Sequence, residues 1–292
     1  MHKFLRAIGF SKLTKDDLKN IIHEIIEKPM MQKVAEDSEE NEFAELSTEF
    51  GEFFGLSLRG NFNEDDSFEI SYYYPYFCGN KISTTEQVDI EKHAEKESYA
   101  GVCDEVRLGV TLIFYLQNVS DYLAVKHNKF YQSKAQGTIL AALSTEGKVL
   151  LPISKDEKNK KFDEQSNNDR NHLIAAARSG DEDAIENLTL EDMDTYSLLS
   201  RRILHEDIMS IVDSYFMPYG IESDQYSILG EITGCKLLQN KMTEENVYAL
   251  EIKCNDIEFP VCINQKDILG EPAVGRRFKG NIWLQGSIRY QE

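Results

Sequence analysis

Phe68-Glu69-Ile70-Ser71-Tyr72-Tyr73-Tyr74-Pro75-Tyr76 carries the clearest two-residue period in the chain. Phe68, Ile70, Tyr72, Tyr74 and Tyr76 share one face of an extended segment, which predicts a β-strand. Pro75 has no N–H to give a neighbour, so this strand is expected at a sheet edge. Upstream, Phe43–Phe50 and Phe53–Asn61 read as two more strands broken at Gly51, with a polar turn at Asn63-Glu64-Asp65-Asp66. Before them, Leu18, Ile21, Ile22, Ile25 and Ile26 form a helical stripe over Lys15–Lys28. Thr14 and Asp17 resemble a capping box at its start, and Pro29 ends it.

Downstream, Tyr99–Asp104 and Arg107–Gln117 read as strands, the second apolar on both faces and therefore central. Thr138–Leu143 and Lys148–Ile153 read as a hairpin turning at Thr145-Glu146-Gly147. Residues 154–168, rich in charge and poor in apolar side chains, read as a linker. Helices are expected over His172–Ser179, Glu182–Leu188, Thr189–Arg202 and His205–Phe216. The first two resemble half of an ankyrin-type repeat, but no second copy occurs, so they read as a local pair. The C-terminal region returns to strands at Ser227–Leu238, Val247–Cys254, Glu258–Asn264 and Arg277–Ile288, with a tight turn at Asn255-Asp256. Glycines spaced along the last segment suggest the corners of a small barrel, OB-like or SH3-like.

The expected fold class is therefore α+β. It comprises an N-terminal helix-plus-antiparallel-sheet domain (1–153), the linker, a helical middle segment (169–220) and a small C-terminal β-barrel (221–292). A chain of 292 residues suits more than one folded part.

The formal net charge is -19. From Met31 to Ala100 there are 17 acidic against 5 basic residues; from Ile221 to Glu292 the counts are 11 and 8. Such a field repels nucleic acid and anionic lipid, which argues against nucleic-acid binding by the N-terminal half. No stretch approaches the roughly 20 apolar residues of a membrane helix, and the N-terminus lacks a secretion signal. The expected location is cytoplasmic. Five cysteines at wide spacing, with no CxxC, read as reduced thiols, although Cys254 and Cys262 could face each other across a hairpin.

No phosphate-binding glycine loop, hydrolase elbow, HExxH or calcium-loop pattern occurs, so no catalytic residue, metal ligand or cofactor is assigned. Two features suit binding. Tyr73 and Phe77 sit in the tyrosine run, where amphipathic rings serve interfaces as readily as cores. Arg276, Arg277 and Lys279 form the densest basic patch of the C-terminal region, with Trp283 nearby; on a small barrel this pairing suits a single strand or a peptide. The plainer reading of both is core packing and solvated charge.

Three stretches resemble an uncharacterised family of clostridial bacteria, domain of unknown function 3881. They are Met1-His2-Lys3-Phe4-Leu5-Arg6-Ala7-Ile8-Gly9-Phe10-Ser11, Asp192–Tyr219 and Val274-Gly275-Arg276-Arg277-Phe278-Lys279-Gly280. The resemblance implies a bacterial cytoplasmic protein and carries no activity or site residues with it. The leading expectation is a non-catalytic interaction or adaptor protein whose partner is another protein. The alternatives are an enzyme or small-molecule binder with a site between the two β parts, and a nucleic-acid-related module acting through the C-terminal barrel.

Overall fold

The computed structural model describes residues 1–36, 42–92, 98–105, 107–127, 135–153, 172–177, 179–190, 193 and 212–291. A 3-10 turn at Lys3–Ile8 leads into α1 (Lys15–Glu27). The capping box is present: Thr14 accepts from the Asp17 N–H while the Asp17 carboxylate accepts from the Thr14 N–H. Four antiparallel strands follow in the order of the chain, β1 (Met31–Glu36), β2 (Glu42–Gly51), β3 (Phe54–Phe62) and β4 (Phe68–Phe77). β4 is one of the two edges of this sheet, where Pro75 needs no ladder donor on the outer side. Arg59 pairs with Tyr72 and Gly60 with Ile70, so Ser71 is an extra residue. This bulge breaks the expected alternation: Tyr74 is buried while Ile70 is 36% exposed.

The second sheet contains β5 (Val88–Lys92), β6 (Tyr99–Glu105), β7 (Val110–Leu116), β8 (Ala135–Leu150), β9 (Tyr215–Pro218), β10 (Gln225–Gln239), β11 (Asn246–Cys254), β12 (Ile257–Asn264), β13 (Ile268–Leu269) and β14 (Arg277–Tyr290). A second helix, α2 (Val119–His127), follows β7 and packs on β1 and β2. Part of this sheet closes on itself. β12, β11, β10 and β14 are neighbours in that order, and β8 pairs with both β12 and β14. The β8–β12 pair is parallel and the other pairs of this five-stranded ring are antiparallel.

Alternation then sorts the side chains into two cores. Leu140, Ala142, Ile228, Leu250, Ile252, Val261, Ile263, Phe278, Ile282 and Leu284 share one cluster, the filling of the ring, which extends onto β6, β7 and α2. Their strand neighbours Ala141, Leu143, Cys262 and Trp283 belong to a second cluster with Leu46, Leu56, Leu58, Tyr74, the 3-10 turn and α1. This second core is a layer between the ring's outer surface and the four-stranded sheet.

The fold corrects the expected α+β class. The protein is mostly β, built on two sheets, and among the described residues the stretch 169–220 shows only two short helical pieces and a strand rather than the expected helical segment. Residues 172–177 and 182–190 are helical, but Tyr215 and Phe216, read as a helix end, lie in β9. The linker and most of the two helices expected over Thr189–Arg202 and His205–Phe216 fall outside the described residues. Nor is there a self-contained C-terminal barrel. The ring needs β8, which the sequence reading divided into a hairpin within an N-terminal domain. Glu146 and Gly147 do not turn; they pair with Asn281 and Gly280 of β14. Gly147 is required by close approach, since a Cβ there would lie 2.4 Å from the Phe278 ring. Cys254 pairs with Ile257 and Cys262 with Ala249, so these two thiols do not face each other.

Candidate functional site

A surface groove of about 430 Å³ runs between α1 and the β10–β11 connection. Asp17, Asn20, Ile21 and Glu24 line one wall. Their spacing of three, four and seven residues puts them on one helix face. Ile21 belongs to the apolar stripe, so the wall is polar at its rim and apolar at its base. Phe10, Lys12 and Leu13 line the end before the helix, and Met242, Thr243 and Glu245 form the opposite wall.

The opposite wall is fixed by one asparagine. Asn240 is fully buried. Its Oδ1 accepts from the N–H groups of Met242 and Thr243, 2.9 and 3.0 Å away. Its Nδ2 donates to the Ile8 carbonyl at 2.8 Å, and Thr243 Oγ1 donates to the Gly9 carbonyl at 2.7 Å. Gly9 adopts φ 93°, and a Cβ on it would lie 2.8 Å from the Asn240 Cβ. Lys241 N–H donates to the Phe50 carbonyl, tying the same turn to the four-stranded sheet. Buried polar groups satisfied in this way hold a surface in one shape.

Two of the groove carboxylates, Asp17 and Glu245, are drawn toward their charged form. The Thr14 hydroxyl and backbone draw the Asp17 carboxyl below its usual range. Burial pushes Glu245 up, but hydrogen bonds from Lys266, Ser11 and Asn264 outweigh it and bring it down to about 2. Those contacts are short: Lys266 Nζ and Ser11 Oγ lie 2.5 Å from Oε1, and Asn264 Nδ2 lies 2.8 Å from Oε2. A general acid working near neutrality needs the opposite shift.

A second cleft of about 140 Å³ lies between the β2–β3 turn, the end of β4 and strands β10 to β12, and it includes Cys78, Cys235 and Glu251. Its volume is below the roughly 300 Å³ at which small-molecule pockets begin. Burial pushes the Cys78 thiol up to about 12 and also raises Cys235, which keeps both protonated and poorly nucleophilic. Glu251 is likewise raised by burial.

The binding residues suggested by sequence do not form one surface. Phe77 is 2% exposed in the layer between sheet and ring, and its N–H donates to Gln285. Trp283 is 4% exposed, donates to Asp224 at 2.7 Å and lies against the rings of Phe4 and Tyr115. Arg277 is 7% exposed and its guanidinium donates to the Leu151 and Val212 carbonyls, while Arg276 donates to the Glu271 carbonyl. Lys279 is half-buried. The basic patch is thus occupied largely by the protein's own backbone. Tyr73 and Trp283 are brought near each other by His2, whose N–H donates to the Tyr73 hydroxyl and whose ring centroid lies 4.8 Å from the indole. The groove itself was missed by sequence reasoning. Its one local signal was the polar row Asp17, Asn20, Glu24 beside the apolar stripe.

Deeper in the layer, Arg59 is wholly buried. It donates to Glu45 (2.7 Å), Tyr115 (2.7 Å), Tyr74 (3.2 Å) and the carbonyls of Leu116 and Gln117. Burial lowers its pKa, yet Tyr115, Tyr74 and Glu45 together outweigh that effect and raise it. These five bonds all end on protein groups and the guanidinium is wholly buried, so this cluster joins β3 to β7 rather than opening to a ligand.

Among the described residues, no group of three or more His, Cys, Asp or Glu side chains is placed to hold a metal ion. No helix among them is long and apolar enough to cross a membrane. The family described as "Domain of unknown function, E. rectale Gene description (DUF3881)" matches residues 5–286. The chain belongs to that family. Neither a curated protein nor a solved structure matches it.

Proposed function

We propose that the protein is a non-catalytic interaction protein of the cytoplasm that receives a segment of another protein in the groove between α1 and the β10–β11 turn. The observation that carries this reading is the groove's construction: apolar lining residues, a rim of carboxylates of which Asp17 and Glu245 are drawn toward their charged form, and a wall locked by Asn240. A preorganised wall lowers the ordering cost of binding. Fixed charges suit orientation of a partner more than proton transfer.

The test compares capture by the wild-type protein and by Met242→Glu from a native lysate, with circular dichroism as the folding control. Met242 is 46% exposed, so the substitution alters the groove without opening a core. The expected result is a stoichiometric partner lost from the variant. A partner retained equally by both proteins, or none captured by either, overturns the assignment of the groove.

A further inference from the structure

We infer that the segment received in the groove is cationic and carries one apolar side chain; this rests on the docking reading above and specifies its partner. Three carboxylates, Asp17, Glu24 and Glu245, border the groove against one lysine, Lys12. Asp17 is engaged by the helix cap and Glu245 by Lys266 and Ser11. Glu24 is exposed and makes no ion pair among the described residues. It stands two helical turns from Asp17 on the same face, so the helix wall of the groove carries two carboxylates. Among the lining residues, Phe10, Leu13, Ile21 and Met242 offer an apolar seat to an aliphatic or aromatic anchor. An acidic segment would meet the same carboxylates at close range, and like charges brought together at an interface are strongly disfavoured. The net charge of -19 acts in the same sense at longer range, drawing cationic chains toward the surface and speeding encounter at low salt. Nucleic acid carries the wrong sign for this groove.

The probes are matched fluorescein-labelled peptides on the full-length protein. One alternates Lys and Ser around a central Leu, a second has Glu for every Lys, and a third has Ser for the Leu. Anisotropy reads affinity, and hydrogen–deuterium exchange locates the contact. The cationic Leu peptide is expected to bind best, to slow exchange in residues 10–27 and 240–245, and to weaken as salt rises. Glu24→Lys is expected to weaken it about tenfold, since like charges then meet at the rim. Met242→Glu is expected to remove the advantage of the central Leu over Ser. If the acidic peptide protects the same segments equally well, the cationic assignment falls while the groove remains a docking site. If no peptide protects those segments although Met242→Glu still abolishes partner capture, the charge inference again fails alone. If the cationic peptide binds with exchange in those segments unchanged, the site is elsewhere and the inference is overturned.

Discussion

The inside of the five-stranded ring and the layer outside it are built from the same strands, yet they are held by different means. The ring is filled by aliphatic and aromatic side chains such as Ile228, Leu250, Val261, Phe278 and Leu284. Its outer layer packs aromatics and also buries Arg59, Glu45 and Gln285. Gln285 donates to the Pro75 carbonyl and accepts from the Phe77 N–H, so a strand of the ring completes hydrogen bonds of the edge strand β4. A closed ring is already specified by its ladders, and shape suffices to fill it. A sheet lying on a ring has no ladder to fix its position, and directional polar contacts supply that register.

This contrast can be broken at four points. Arg59→Met leaves Glu45 buried without its cation. We expect a loss of about 3–5 kcal/mol in denaturant unfolding, the range for breaking one side of a buried ion pair. A loss below about 1 kcal/mol would mean that packing alone holds the layer. Leu250→Ala in the ring should cost about 3 kcal/mol through transfer and cavity terms. Its mark is a lowered melting temperature with intact near-ultraviolet dichroism. Asn240→Ala strands the N–H groups of Met242 and Thr243 and the Ile8 carbonyl, at about 1–3 kcal/mol. It should also speed hydrogen exchange at residues 240–245 more than at β12.

The fourth point is pH. Glu245 has a folded pKa of about 2, below the ordinary value of 4.5, so the folded state favours its ionised form. Its contribution to stability is present above about 4.5 and fades as pH falls from there toward 2. Glu245→Gln should therefore destabilise the protein at neutral pH and lose that difference near pH 2. An equal effect at both values would show that the hydrogen bonds, not the charge, matter there.

Local features of the fold were legible in the sequence. The Thr14–Asp17 cap, the helix after it, the strands around Gly51 and the Asn255-Asp256 turn, whose two residues have φ values of 47° and 66°, all follow from side chains a few positions apart. What stayed hidden depends on partners far along the chain. Gly147 looks like a turn until Phe278, more than a hundred residues later, is seen to need its space. Tyr215 and Phe216 fit a helical stripe until β10 offers them a ladder. Phe77 and Trp283 were plausible surface aromatics because periodicity does not say whether a second sheet covers an outward face. The groove was hidden for the same reason: its opposite wall lies more than two hundred residues from α1.

Arg277 has a wider consequence. From one guanidinium it reaches Leu151, just past the end of β8, and Val212, just ahead of β9. The chain therefore leaves the ring and rejoins it at a single gate. One side chain thus fastens the chain's point of departure from β8 to its point of return at β9.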